Sequence, residues 1–212
     1  MDAYFMAELN ERLFTHFSGG AWRAPYAQRL LVVGRDPDRP LGQIVCAGPR
    51  DLARALTGLE RAAAAPAPEV LQAALEGAAP VLARLRDAEG FSGDAPGPLR
   101  PVALPATLPV HGPFVLLSSA SLPLTQLIPL LVAGAVQGMI WKPAPAAAAS
   151  GHLLMRILGP LARGRLAMVQ GDHTTGAALA GMGSLVWASE APPPADLPAP
   201  AFSFAPEDRA RP

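Results

Sequence analysis

Cysteine is nearly missing: Cys46 stands alone, so no disulfide can close within the chain and a secreted disulfide scaffold is excluded. The four histidines lie scattered at 16, 111, 152 and 173, which leaves little for a zinc centre. Charge is sparse and balanced, with 17 basic and 17 acidic side chains in 212 residues. Neither a nucleic-acid groove nor an anionic membrane surface is therefore indicated. Lysine is reduced to Lys142, and aromatic residues make up only 6% of the chain. What is present instead is alanine, together with 25 prolines and 20 glycines that cluster rather than spread. The length suits one domain, or one with a small appendage, and suffices for a real core.

Residues 1–16 carry Asp2, Glu8 and Glu11 and lack a basic region followed by an apolar stretch, unlike a secretory signal. Residues 101–141 contain no charged residue, and 122–141 is long enough to span a bilayer. Pro123, Gln126, Pro129 and Gln137 interrupt it, and buried parallel strands give the same uncharged pattern. A cytoplasmic location without membrane association is the expectation.

Phe5, Leu9, Leu13 and Phe14 fall at helical spacing, and 17–29 reads as loop. Two β-favouring runs, 30–33 and 43–46, are joined by a proline- and aspartate-rich turn and predict a hairpin. Helices are expected from Gly48-Pro49, with Leu52, Ala55, Leu56 and Leu59 on one face, and over 69–88, with Pro80 as a kink. After a connector at 90–109, β runs at 114–118, 139–142, 166–169 and 185–188 alternate with apolar helices at 123–135, 146–161 and 174–179. A threonine at 174 or 175 is the expected cap of the last helix. That alternation predicts parallel crossover units of an open α/β sheet. The segments are 1–110 (hairpin, helices and connector), 111–190 (α/β core) and 191–212 (a proline-rich tail). Ligands of such sheets bind beyond the strands' carboxyl ends, here Ser118, Lys142, Gly171 and Ala188.

In this order, several short motifs carry a resemblance. Gly19-Gly20-Ala21-Trp22-Arg23-Ala24-Pro25 is similar to an opening glycine, small residue, tryptophan pattern, and Ala47-Gly48-Pro49-Arg50-Asp51-Leu52 to the start of a first long helix. Phe114 to Ser118, followed by Ser119-Ala120-Ser121-Leu122-Pro123, is similar to a strand ending in Pro-Trp-Asn-Phe-Pro. Trp141-Lys142-Pro143-Ala144 matches a Lys-Pro-Ala strand end, and Gly171-Asp172 through Gly176 a cofactor-side glycine loop and helix. Leu185-Val186-Trp187-Ala188-Ser189-Glu190 falls where the pattern has Phe-Thr-Gly-Ser. Across residues 19–190 the chain resembles the N-terminal, NAD(P)-binding half of the aldehyde dehydrogenase superfamily, most closely in look the modules of bifunctional proline-utilisation proteins. The resemblance implies an α/β fold with a Rossmann-like open parallel sheet of the aldehyde dehydrogenase type, preceded by an N-terminal hairpin and helical segment. It also implies NAD(P) contacts at Lys142, Gly171, Gly176, Trp187 and Ser189.

The departures from the pattern point away from catalysis. The family's oxyanion-holding asparagine falls at Ser121, a shorter donor, leaving a vestigial position. The acid that would share the adenosine ribose with Lys142 is Pro145, and Glu190 sets a negative charge on the path of the diphosphate. The family's catalytic cysteine and general-base glutamate belong beyond residue 190, where 191–212 hold no cysteine and no core-forming segment. No catalytic residue is therefore expected here, and NAD(P) is expected to bind weakly or not at all. Each candidate also has a plainer reading. Lys142 can be a strand terminus, Gly171 and Gly176 turn formers, Trp187 core, Cys46 a small buried apolar residue away from the strand ends, and His173 a solvent-facing loop residue. His111, His152 and the serines at 118, 119 and 121 have no evident catalytic company.

Three functions stay open. The first is a truncated aldehyde-dehydrogenase-like protein acting as a non-catalytic partner of a full-length aldehyde dehydrogenase subunit or of itself. In the resembling family the N-terminal hairpin contributes to oligomers, and an inactive aldehyde-dehydrogenase-like domain of long proline-utilisation enzymes covers their active module. The second is an NAD(P)-dependent aldehyde oxidoreductase subunit, active only with a partner chain. The third is a stand-alone nucleotide-binding or structural domain.

Overall fold

The computed structural model describes residues 12–203 except 35, 37, 39, 61, 63, 92–107, 109 and 111. His111, most of the 90–109 connector, and the positions of Phe5 and Leu9 lie outside the described residues. Strands β1 (Leu13–Phe14), β2 (His16–Ser18) and β3 (Ala21–Arg23) open the chain, and β4 (Leu30–Val33) and β5 (Gly42–Val45) form the hairpin. Helices α1 (Pro49–Glu60) and α2 (Pro68–Ala88) follow. The α/β part comprises β6 (Phe114–Ser118), α3 (Leu124–Gln137), β7 (Met139–Pro143), α4 (Ala148–Leu161), β8 (Leu166–Met168), α5 (His173–Ala180) and β9 (Ser184–Ala188). A strand β10 (Phe202–Ser203) comes last.

The main sheet has the order β10-β9-β6-β7-β8-β2-β3. Strands β6 to β9 are mutually parallel, β10 joins β9 in parallel, and β2 turns back antiparallel against β8 with β3 beside it. The expected α/β architecture with a parallel core is therefore present. The chain steps outward from β6 through β7 to β8, then returns by α5 to place β9 on the other side of β6. By the general rule for such sheets, that reversal makes the region outside the carboxyl ends of β6 and β9 the expected ligand crevice.

Alternation along the strands sorts the two faces. Phe114, Leu116, Trp141, Met168 and Val186 face α2, α3 and α4, meeting Leu71, Leu75, Leu130, Leu154 and Leu158. Val115, Leu117, Ile140, Ala167 and Leu185 face the opposite layer with Leu52 and Ala55 of α1 and Leu179 of α5. Both faces being dry explains why the strands read as unbroken apolar runs in sequence.

Several sequence expectations are corrected. Leu13 and Phe14 form a strand rather than a helix, β1 lying parallel to β5. The 17–29 loop contains β2 and β3, joined at Gly19 and Gly20 with φ of +56° and +77°. Two successive positive φ values are what a tight hairpin turn of this hand needs, and glycine supplies them without a side-chain clash. The main sheet crosses the divisions drawn at 110/111 and 190/191, because β2 and β3 pair on one side and β10 on the other. Residue 172, not a threonine, caps α5: the Asp172 side chain accepts from the Thr175 N–H.

Candidate functional site

At the crevice, Ser119 N–H donates to Ala188 O at 2.9 Å, tying the ends of β6 and β9 together. Ser118 is buried and its Oγ accepts from Trp141 Nε1–H at 2.9 Å, so this hydroxyl is committed to holding a core indole. Ser121, the vestigial oxyanion position, is exposed, with its Oγ 3.3 Å from Ser119 Oγ. On the β9 side Ser189 is buried, its Oγ accepting from Ala191 N–H, while Trp187 donates Nε1–H to Ala191 O at 2.7 Å. Both side chains thus brace the start of the tail. Glu190 is exposed beside them.

Lys142 at the end of β7 is only 7% exposed, and its Nζ donates to its neighbour Pro143 O at 3.3 Å. Burial pushes its ammonium down to about 8 against the partial support of Asp172 and Cys46. Pro145, in the short helical turn Pro145–Ala147, offers no acceptor. Asp172 is engaged elsewhere: Arg29 Nη1 lies 2.6 Å from its Oδ2, and this contact holds its carboxyl far below the usual carboxylate range.

The two candidate glycines are not turn formers, since neither has a positive φ. A β-carbon at Gly171 would collide with the Thr175 side chain, and one at Gly176 would sit 3.5 Å from Lys142 Cδ and Cε. Their role is close packing under the strand ends. His173 is exposed, as expected, but opens α5 and lies 3.0 Å from Asp196 Oδ2.

Cys46 is buried, as expected, yet the β5 end carries it to the same end of the sheet as Lys142. Ala47 N–H donates to Gln170 O just beyond β8, and Thr175 Oγ1 donates to Ala47 O at 3.3 Å, which holds the residue after Cys46 at that end of the sheet. The expectation that Cys46 lies away from the strand ends is therefore corrected. Hydrogen bonding between the hairpin and the sheet, invisible in local sequence, causes this.

A second polar cluster escaped the sequence reading. His16 on β2 is buried, and its Nδ1 accepts from Gln170 N–H, so its proton sits on Nε2, 4.0 Å from Asp51 Oδ2. Asp51 accepts from the N–H groups of Tyr26, Ala27 and Gly48 and from Arg54 Nη2. Those bonds and His16 hold its carboxyl low despite burial. The signal was available at helical offset three: Gly48 precedes Pro49, and Asp51 reaches back to the Gly48 N–H as the acid of a capping box does. Arg86 and Glu89 form a third buried pair, Arg86 donating to Ala120 O and Leu122 O behind the crevice, and Glu89 accepting from Ser150 N–H. Among the described residues, no group of three or more histidine, cysteine or acidic side chains converges to hold a metal ion. No described helix is long and apolar enough to cross a membrane.

No protein-family model matches the sequence, and no curated protein matches it. Solved structures do. An aldehyde dehydrogenase from Bacillus cereus in complex with NAD+ is 14% identical, with a TM-score of 0.66 over 88% of this chain and 48% of its own. The Δ-pyrroline-5-carboxylate dehydrogenase from Mycobacterium tuberculosis is 19% identical, with a TM-score of 0.59 over 82% of this chain and 41% of its own. The betaine aldehyde dehydrogenase from Staphylococcus aureus, solved with NAD+, gives 12%, 0.63, 82% and 45% in the same terms. At these identities the likeness speaks for the fold. The chain spans less than half the length of these enzymes and, over that part, has the aldehyde dehydrogenase fold.

Proposed function

We propose that this chain is a non-catalytic, aldehyde-dehydrogenase-like protein that docks on a second subunit, either a complete aldehyde dehydrogenase or another copy of itself. The observation that carries the reading is the state of the strand-end crevice. Its ammonium is buried against its own backbone, its serines brace the protein, and the chain's sole thiol is 2% exposed. A covalent mechanism needs an accessible thiolate with a base within hydrogen-bond reach. Cys46 offers no such access. The docking part of the reading rests on β4, an edge strand of the small sheet β1-β5-β4 whose Leu30 and Val32 are 54% and 57% exposed. An uncovered edge with apolar side chains is a template for another chain.

Purified chain with an aldehyde panel and NAD+ or NADP+ is expected to form no reduced cofactor; turnover lost on Cys46→Ser would reject the reading. Calorimetry is expected to give a dissociation constant for either cofactor weaker than about 10 μM, since a missing charge-assisted contact weakens binding about ten- to a hundredfold. Sedimentation of the chain, alone and mixed with a complete aldehyde dehydrogenase from the same cell, is expected to show a complex that Val32→Lys dissolves. A monomer in both samples would overturn the docking claim.

A second reading, an NAD(P)-binding subunit whose thiolate and base come from another chain, is favoured by the crevice at the β6/β9 reversal with Lys142 beside it. Turnover that appears only with a second chain and survives Cys46→Ser would establish it.

A further inference from the structure

Away from the crevice, a cavity of about 460 Å³ is lined by Ser18, Gly19, Gly20, Arg23, Arg54, Thr57, Gly58, Arg163 and Gly164. It lies at the other end of the sheet. Arg163 and Gly164 precede β8, and the register of β2 against β8, Phe17 opposite Met168, carries Ser18 and the Gly19-Gly20 turn toward that amino end. Helix α1 starts beside Gln170 and reaches the same place with Thr57 and Gly58.

The walls are unusual in charge and in bareness. Three of the nine lining residues are arginines and none is acidic. Arg54 is fixed by Ala24 O at 2.9 Å and Asp51 Oδ1 at 3.0 Å, so its charge is already balanced and it serves as a rigid wall. Arg23 keeps its place through Nε–H donation to Ser18 O at 3.1 Å, and its guanidinium Nη2 lies over the Gly19 turn. Arg163 is exposed and has φ +50°, a left-handed conformation unusual for a non-glycine residue. The surplus charge therefore comes from Arg23 and Arg163, on two separate segments. The floor is made of glycine backbone: a β-carbon on Gly58 would stand 2.8 Å from Gly19 N, and Gly164 packs next to Gly58 O and Ala62. Side-chain-free backbone, two hydroxyl residues and forked guanidinium donors form a setting for phosphate oxygens. The volume exceeds what an isolated phosphate needs and falls in the range of small-molecule pockets.

We infer that this cavity is a binding site for a small phosphorylated molecule, held by Arg23 and Arg163 at the amino end of the sheet. The site is independent of the strand-end crevice and of the docking proposal. The test is calorimetric titration of the full chain with pyrophosphate, inorganic phosphate and glycerol at low and at 0.5 M sodium chloride. Pyrophosphate is expected to bind at low salt, more tightly than phosphate, and to weaken in high salt, while glycerol gives no heat. The double variant Arg23→Gln, Arg163→Asn, with asparagine chosen because it tolerates a left-handed backbone, is expected to bind pyrophosphate about tenfold or more weakly with unchanged circular dichroism. Lys142→Met is expected to leave the affinity as it was. No pyrophosphate binding at millimolar concentration, binding unchanged in the double variant, or binding lost in Lys142→Met would each overturn the inference.

Discussion

Lys142 is held where its charge is costly. Its folded value of about 8 lies below the ordinary 10.5, so folding favours the neutral amine. The contribution is unfavourable at neutral pH, and stability should rise as pH climbs from about 8 toward 10.5, where only the unfolded chain keeps the proton. Lys142→Met is accordingly expected to stabilise the protein at pH 7 by about 1–3 kcal/mol, an amount a chemical-denaturation curve resolves. A destabilisation would mean that the Pro143 contact outweighs burial. His152 acts in the same sense on the acid side. Burial pushes it down to about 4, and stacking on Trp22 with centroids 4.1 Å apart keeps it enclosed. His16 is likewise lowered, burial and Arg54 outweighing Asp51. Both rings are neutral in either state above about 6.5, and as pH falls toward 4 only the unfolded chain takes up protons. The urea midpoint should therefore decline steadily from pH 7 to pH 4, with a shallower decline in His152→Phe. A midpoint constant over that interval would contradict the buried, neutral placement.

At the level of elements, α4 lies close on β2 because position 159 has no side chain. A β-carbon on Gly159 would meet Phe17 Cζ at 2.5 Å and Cε1 at 2.7 Å, and Phe17 is itself buried and edge-on to Trp22. Gly159→Ala should then destabilise by about 1–3 kcal/mol, as overpacking does, and Phe17→Leu in the same chain should recover part of the loss in thermal unfolding. This contact also shows where sequence reading stopped. The run 114–118 was legible to the residue, since five successive apolar or small residues bounded by Gly112-Pro113 and a serine cluster have few other forms. The strands at 16–18 and 21–23 were not. Three residues are too few for a period, and His16, whose ring is buried on Gln170, reads locally as a polar end. Strand β2 is fixed by pairing with β8, more than 140 residues away, and β3 by pairing with β2. The same holds for the candidate site: Lys142 at a strand end was visible, whereas the arrival of Cys46 at that end of the sheet depends on how the hairpin docks.

Taken as a whole, the molecule has two ends with different chemistry: a crevice with a buried amine at the carboxyl end of the strands and an arginine-lined cavity at the amino end. Its long edges are also unequal. On one side β10 shields β9, with Phe202 opposite Val186 and Ala201 N–H donating to Leu185 O at 2.8 Å. Ending the chain after residue 198 would strip that cover while keeping Leu197 on the core. The expected outcome is concentration-dependent association in light scattering, because an uncovered central-type strand pairs readily. Unchanged scattering would show that the tail strand protects nothing.

The scarcity of lysine has a practical side. With Lys142 the sole lysine, the folded protein shows almost no ε-amine to an acylating reagent, and the amine it hides is half deprotonated near pH 8. Acylation of that nitrogen is therefore limited by exposure of the chain rather than by its protonation. Mass spectrometry of one acylated peptide would time the opening of the sheet's centre, a clock built into the molecule without any engineered label.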